Sequence, residues 1–554
     1  MKVRGAKRGH PVTGDYNCGC PSLAECAGLP AVRGTKLQLQ SKAIMNVSTA
    51  RLVELSEGTP FEMSMPEAAR FLRDATRYAS VPAPELWRSS CTLTKEQVRH
   101  QIDIGFWVLL TDPETKKIRG ICKVFTKDEN WKDPPRARVV TWTWSVNQDL
   151  GMRPAFELFN QGEVRHLVWE GSHAACVDGK AAFNQFLYEE DVSMYHCVNT
   201  ELGWCKILRA AMGARPSCFV SDTALGVIAA KSKSVWKTYI DNLLLVGVPE
   251  VLRDDLGEVR DRAEYANYTF NEDLSDLDAL IKTRLEFLGV ILDFAMKTVS
   301  LGPKVLAKLA SVWARRDQWL VQDFIICMCV LVYTANVLGR RMSRWQTALQ
   351  VWAQAQGDCF AEPAKKKAFL ELLPAECEAE LRDWVELTLN NADIDVPSDA
   401  EKRHDFMLIT DASVHTWCGI ILSLKTGQST VVRGDWPQGY YDLLKHSTTA
   451  EPMAVAASVN TFFEPYAGAR VLHIGDNTAT VCEVNKGYST REGRFLAQYL
   501  ASEFPHLILD SDYYPGELIP ADGPSRQQEF DREKLEVLAA RYSVSLTSVR
   551  EFEL

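Results

Sequence analysis

A multidomain α+β protein is what this sequence predicts, and three observations lead there. The chain has 554 residues, more than a single hydrophobic core normally serves. Its 46% hydrophobic and 24% charged residues match a globular composition. The periodicity also changes twice along the chain: short β-like runs alternate with helical stretches over 61–301, helical spacing alone runs over 302–389, and strands followed by α/β alternation come after a polar break at 390–400.

In chain order, residues 1–60 are rich in Gly, Pro and small polar residues and lack periodicity, so an N-terminal arm is expected. His10, Cys18, Cys20 and Cys26 lie there at spacings that match no standard zinc site, and no structural zinc is expected. Over 302–389, Val305, Leu309 and Val312 share one helical face. The longest apolar stretch, 324–333, is half the roughly twenty residues of a membrane helix, so it reads as a buried helix with no membrane span. The segment 390–400 holds Asn, Asp, Pro and Ser without bulky aromatics and reads as a linker. Beyond it, 406–409, 417–422 and 430–433 read as strands, a helix begins near Ser447, another strand ends at Gly475, and a helix follows Asn477. This defines a domain over 401–530, with a helical tail expected over 531–554.

The net charge of −10 argues against a uniformly basic nucleic-acid coat, while leaving room for a basic groove beside an acidic, metal-holding centre. Fifteen cysteines are scattered without a disulfide-like framework, and no apolar run follows the basic residues after Met1. A reducing, intracellular location, cytoplasmic and/or nuclear, is the expectation.

Two constellations carry the chemistry. In the first, two apolar runs flank Asp241-Asn242, which reads as a β-hairpin with a carboxylate at its tip, and upstream an apolar strand ends in Asp178. Asp178, followed five residues later by Phe183, resembles motif A of reverse transcriptases, especially those of retrotransposons. Tyr239-Ile240-Asp241-Asn242 resembles their Tyr-x-Asp-Asp motif C, with Asn242 in place of the usual second Asp. Between them, Met212-Gly213-Ala214-Arg215-Pro216-Ser217 resembles motif B, and Leu285-Glu286-Phe287-Leu288-Gly289-Val290 resembles the primer-grip strand. The run 136–147 resembles the fingers strand, and the resemblance places Arg138 at the triphosphate, with Lys127 and Arg136 as secondary candidates.

What the resemblance implies is a right-hand polymerase in which Asp178 and Asp241, with Asn242, hold the catalytic metals. Phe183, Met212 and Gly213 would meet the nucleotide, and Arg215, Tyr239, Leu288 and Gly289 the nucleic acid. The residue types suit that chemistry: nucleotidyl transfer uses two divalent ions held by carboxylates from separate elements, and magnesium, with manganese as the alternative, prefers hard oxygen ligands. A ring at Phe183 beneath the sugar would clash with a 2′-hydroxyl and favour deoxynucleotides.

The second constellation is Asp411 at a strand end, Glu451 entering a helix, Asp476 at a later strand end, and Asp522 in Pro520-Ala521-Asp522-Gly523-Pro524-Ser525-Arg526. Four converging acids would repel one another by about 4 kcal/mol per close pair at an intermediate dielectric unless cations neutralise them. Their order, with Tyr514-Pro515-Gly516 before the last, resembles the ribonuclease H domain of retroelements. The helical segment 302–389 then falls where that family keeps its thumb and connection. There Arg340, Arg341, Arg344 and Trp345 combine guanidinium groups with a ring suited to phosphates and bases, and Lys304, Lys308, Arg315 and Arg316 are similar candidates.

The sequence thus predicts an RNA-directed DNA polymerase joined to a ribonuclease H. It resembles DIRS-like tyrosine-recombinase or LTR retrotransposon enzymes and would act on an RNA template, a DNA primer, deoxynucleoside triphosphates and the RNA–DNA hybrid. No protease, integrase or recombinase signature is evident, so other retroelement-encoded chains would supply those activities. The alternative is a domesticated, catalytically silent relative that keeps the fold for nucleic-acid binding or assembly, with Asn242 as its best support.

Overall fold

The computed structural model describes residues 46–78, 91–129, 136–143, 146–147, 150, 156–398, 404–464, 468–487 and 495–554. His10, Cys18, Cys20 and Cys26 lie outside them. The chain forms two compact units, the first built mostly from residues up to 287 and the second mostly from 296 onward.

In the first unit, strands β1 (His173–Asp178), β2 (Val235–Tyr239) and β3 (Asn242–Gly247) form an antiparallel sheet in the order β1-β3-β2. The central strand is β3, and Leu243 to Val246 are all buried, which is why it reads as an unbroken apolar run rather than an alternating one. Helix α1 (Arg215–Ala229) packs on this sheet and is buried nearly all round, with twelve buried residues. Helix α2 (Pro249–Ala266) begins with Pro at its first turn and packs on β1 and β3. The end of the expected arm is docked: Leu52, in a helix capped by Ser48, is buried in this core. Val47 adds to this docking: its amide bonds the Gln185 carbonyl at 2.9 Å.

The second unit opens with helices α3 (Pro303–Trp313), α4 (Val321–Leu338), α5 (Gln346–Ala361) and α6 (Ala375–Asn390), which share a core that includes Leu309, Phe324, Leu331, Leu349 and Trp384. By length and composition α4 is apolar enough to cross a membrane, yet 56% of it is buried inside this core. The segment expected to be a linker is instead tied down. Ile394–Asp395 pairs with Thr298 and Val299, and the Asn391 side chain accepts from the Leu301 amide at 2.8 Å.

A six-stranded mixed sheet follows. Its strands are β4 (Phe406–Ala412), β5 (Thr416–Ser423), β6 (Gln428–Asp435), β7 (Ala469–Gly475), β8 (Leu507–Tyr513) and β9 (Ser548–Glu553), in the order β8-β7-β4-β5-β6-β9. The first three run antiparallel, whereas β7 joins β4 in parallel and helix α7 (Ser447–Phe462) packs across β4 and β5. The tail expected to be helical keeps one helix, Arg532–Arg541, and then adds β9 in parallel to β6. As an edge strand exposed along almost its whole length, β9 carries little hydrophobic alternation, so its sequence shows no strand signal.

Candidate functional sites: two carboxylate centres

The first centre is assembled by the β2–β3 turn and the end of β1. Asp178 sits opposite Asn242 in the β1–β3 ladder, and the amide of Gly179 donates to the Asp241 carbonyl at 2.7 Å, so the two acids come from adjacent strand ends. The turn itself is Ile240-Asp241. Asn242 is the first residue of β3 and not a tip residue, because it pairs with both Tyr239 and Asp178. Ile240 takes a left-handed conformation (φ 61°), unusual for a β-branched residue, and α1 holds it there. Asp222 accepts from its amide at 2.9 Å and Ser221 donates to its carbonyl at 2.8 Å. Neither Asp222 nor Ser221 has a sequence signal, since both are ordinary polar residues on a helix, 18 and 19 residues before Ile240.

Burial and the neighbouring Asp178 push the Asp241 carboxyl up to about 6, and Arg138 and the Asn242 amide pull it back. Asn242 Nδ2 donates to Asp241 Oδ1 at 3.0 Å, so the residue expected as a metal ligand acts on its neighbour through its amide. Arg138 is exposed on a two-stranded ribbon, cross-strand from Lys127; the Arg136 side chain lies outside the described residues. Phe183 is half-buried against the core, and Met212 is half-buried beside Gly213, which has φ 100°. Asn147 clasps that turn: its Nδ2 donates to the Gly213 carbonyl at 2.8 Å, and its Oδ1 accepts from the amide of the exposed Arg215 at 2.9 Å. Tyr239 is half-buried. In the second unit, Leu288 and Gly289 both have positive φ, and the Tyr333 hydroxyl donates to the Leu288 carbonyl.

The second centre lies at the ends of β4 and β7. Ligand oxygens of Asp411, Glu451 and Asp476 all come within 4.8 Å of one another. Asp411 is on β4, Glu451 is on the first turns of α7 and accepts from the Ala412 amide at 3.2 Å, and Asp476 follows β7 directly. Burial, then Asp476 and Asp522, pushes Asp411 up to about 6. Burial, then Asp411 and Asp476, holds Glu451 well above the usual carboxylate range, and burial raises Asp476. Asp522 stands beside this trio with its Oδ1 bonded to Arg526 Nε at 2.8 Å. Two further residues shape the site. The buried Ser525 hydroxyl donates to Asp411 Oδ2, and Gly516 lies so close that a Cβ there would meet Asp476 Oδ2 at 2.4 Å.

Three hard-oxygen donors, Asp411 and Glu451 buried and Asp476 half-buried, all shifted upward, form a set suited to a divalent cation. The linkage gives a test. Because the folded Asp411 titrates near 6 against an ordinary 3.8, the metal-free protein should lose stability as pH rises from about 4 to 6, and the deficit should persist above that. Magnesium should therefore raise the unfolding temperature more at pH 7.5 than at pH 4.5, and Asp411→Asn should remove most of that difference. An equal magnesium effect at both pH values in thermal scans would refute it.

Of the expected nucleic-acid contacts at 340–345, Trp345 is corrected, and the three arginines have partners within the chain. Trp345 is 1% exposed, stacks on Trp384 at 4.2 Å between ring centroids, and donates to Asp383 at 2.8 Å. Arg341 bonds the Leu509 carbonyl and Asp510, tying the helices to β8. Arg340 reaches the Leu387 carbonyl, and Arg344 pairs with Asp383. Trp345 is spent on packing, so Trp345→Ala should cost about 3–5 kcal/mol of stability in denaturant unfolding. Weakened nucleic-acid binding at unchanged stability would contradict this. Lys304 and Lys308 stay exposed on α3, whereas Arg315 lies 3.7 Å from Asp323 and Arg316 lies over the Trp313 ring.

No protein-family model and no curated protein matches this chain. Among solved structures it is similar to a foamy viral protease-reverse transcriptase in complex with double-stranded DNA, over 87% of this chain and 83% of that one, at 11% identity and a TM-score of 0.45. A second such complex with double-stranded DNA aligns over 86% and 99% at 11% identity with a TM-score of 0.42. A third, with an RNA/DNA hybrid, aligns over 87% and 64% at 11% identity with a TM-score of 0.44.

Proposed function

We propose that this chain is an RNA-directed DNA polymerase with ribonuclease H activity from a retroelement, of the DIRS-like or LTR kind that its motifs resemble. The observation that carries the reading is one chain holding two separate carboxylate centres, Asp178 with Asp241 and Asp411 with Glu451 and Asp476, each at the ends of adjacent strands. Magnesium or manganese held by these acids would neutralise their charge and stabilise the attacking and leaving oxygens of an in-line displacement at phosphorus.

The protein's own groups do the rest. Arg138, whose field reaches Asp241, would face the triphosphate from the two-stranded ribbon, and Phe183 would line the sugar. The turn held by Asn147 would support the template and incoming base through Met212, Gly213 and Arg215. At the second centre, Ser525 fixes the Asp411 carboxylate and Gly516 leaves room for Asp476. The two activities serve one task, since the first makes an RNA–DNA hybrid and the second removes its RNA strand.

Primer extension on an RNA template, with deoxynucleotides and then ribonucleotides, in magnesium and then manganese, tests the reading. DNA synthesis is the expected result, and Phe183→Val should raise the catalytic efficiency for ribonucleotides relative to deoxynucleotides. An unchanged ratio would return Phe183 to a packing role. The second reading, a silent polymerase fold, is favoured by Asn242, which removes a carboxylate and spends its amide on Asp241. It wins if neither metal supports extension while hybrid cleavage proceeds.

A further inference from the structure

After α2 the chain turns at Asn267 (φ 57°) and returns as the segment 268–272 along the end of β1. Asn271 Nδ2 donates to Asp178 Oδ2 at 2.8 Å, and the Asn271 amide donates to the Asp178 carbonyl at 2.8 Å. Next along the segment, Glu272 Oε2 accepts from the Asp178 amide at 2.7 Å. The Lys180 amide donates to the Thr269 carbonyl at 2.9 Å. The fully buried Gln185 completes the clasp, donating to the carbonyls of Lys180 and Thr269 and accepting from the Thr269 amide. Beneath it all, the buried Tyr268 lies so close to Gly179 that a Cβ there would meet the phenol oxygen at 2.2 Å.

We propose that Asn271 is a positioning residue for the first carboxylate centre, holding Asp178 in the orientation a divalent cation requires; this rests on the polymerase reading above. A neutral amide donating to one carboxylate oxygen fixes its direction without neutralising the charge the cation needs. A lysine or arginine in the same place would compete with the cation. A carboxylate would add a like charge to a pair that already repels. The clasp around 269–272 keeps the exposed Asn271 amide on its acceptor, so the hydrogen bond does not depend on the side chain's own burial. Sequence reading passed over this segment because 267–283 is short, polar and aperiodic, the pattern of an ordinary loop.

The test uses the full chain. Asn271→Ala removes the donor, and Asn271→Asp keeps the shape while replacing the donor with a like charge. Both should lower the kcat of primer extension and raise the half-saturating magnesium concentration by about 10–100-fold, the range typical of groups that orient a metal ligand. The apparent affinity for template–primer, the unfolding temperature and hybrid cleavage should stay at wild-type values. Wild-type kcat and magnesium dependence in both variants would overturn the proposal. So would a fall in unfolding temperature accompanied by equal losses at both centres, since that marks a merely structural role. If the wild-type protein extends no primer, the polymerase reading fails by itself and the positioning role is decided by manganese titration of protein carrying Asp411→Asn and Asp476→Asn. There Asn271→Ala should weaken manganese binding about tenfold or more, and equal affinity with and without it would overturn the proposal.

Discussion

Asp178→Asn is expected to abolish primer extension while leaving cleavage of RNA in a hybrid at its wild-type rate. The change keeps the side chain's shape and removes one of two acids that approach each other from adjacent strand ends, where burial and mutual repulsion already raise Asp241 to about 6. Without Asp178 that repulsion is relieved, yet the centre retains a single carboxylate plus the Asn242 amide, too little charge to hold two divalent ions. The loss should exceed the about 10–100-fold that a partner of a ligand costs, because a ligand itself is gone. Asp241→Asn should behave alike in both magnesium and manganese. Full extension by either variant, in a preparation free of contaminating polymerase, would refute the assignment of the first centre.

Asp476→Asn should have the converse effect, stopping cleavage of the RNA strand while DNA synthesis continues. Asp476 contributes an oxygen to the trio with Asp411 and Glu451, and it stands at the end of a parallel strand where Gly516 leaves it just enough room. Glu451→Gln should be as severe, since it removes a charge from a group held almost wholly out of water. Gly516→Ala offers a graded control: it displaces Asp476 without changing any charge, so cleavage should fall while the metal-free unfolding temperature at high pH stays low. Persistent cleavage by Asp476→Asn in a nuclease-free preparation would remove the second centre from the proposal.

The sequence by itself determined where the acids stand along the chain and what kind of element carries each. Apolar runs ending in Asp178, Asp411 and Asp476 are visible as strands because burial selects β-branched and aliphatic residues before the acid that ends each run. The helical spacing of Val305, Leu309 and Val312 likewise marks α3. Such patterns are local, set by one element and its own buried face. Only the tertiary structure decided which groups are held, and by what. Asn271 on Asp178, Asp222 and Ser221 on Ile240, Asn147 on Gly213 and Ser525 on Asp411 are pairs separated by tens of residues or more, or joined by ordinary loops, and no periodicity connects them. The same reason explains the misplaced Trp345 and the unforeseen β9. A basic and aromatic cluster reads alike whether its surface meets nucleic acid or its own domain, and an exposed edge strand carries no apolar alternation, so for both the outcome depends on what the rest of the chain brings alongside.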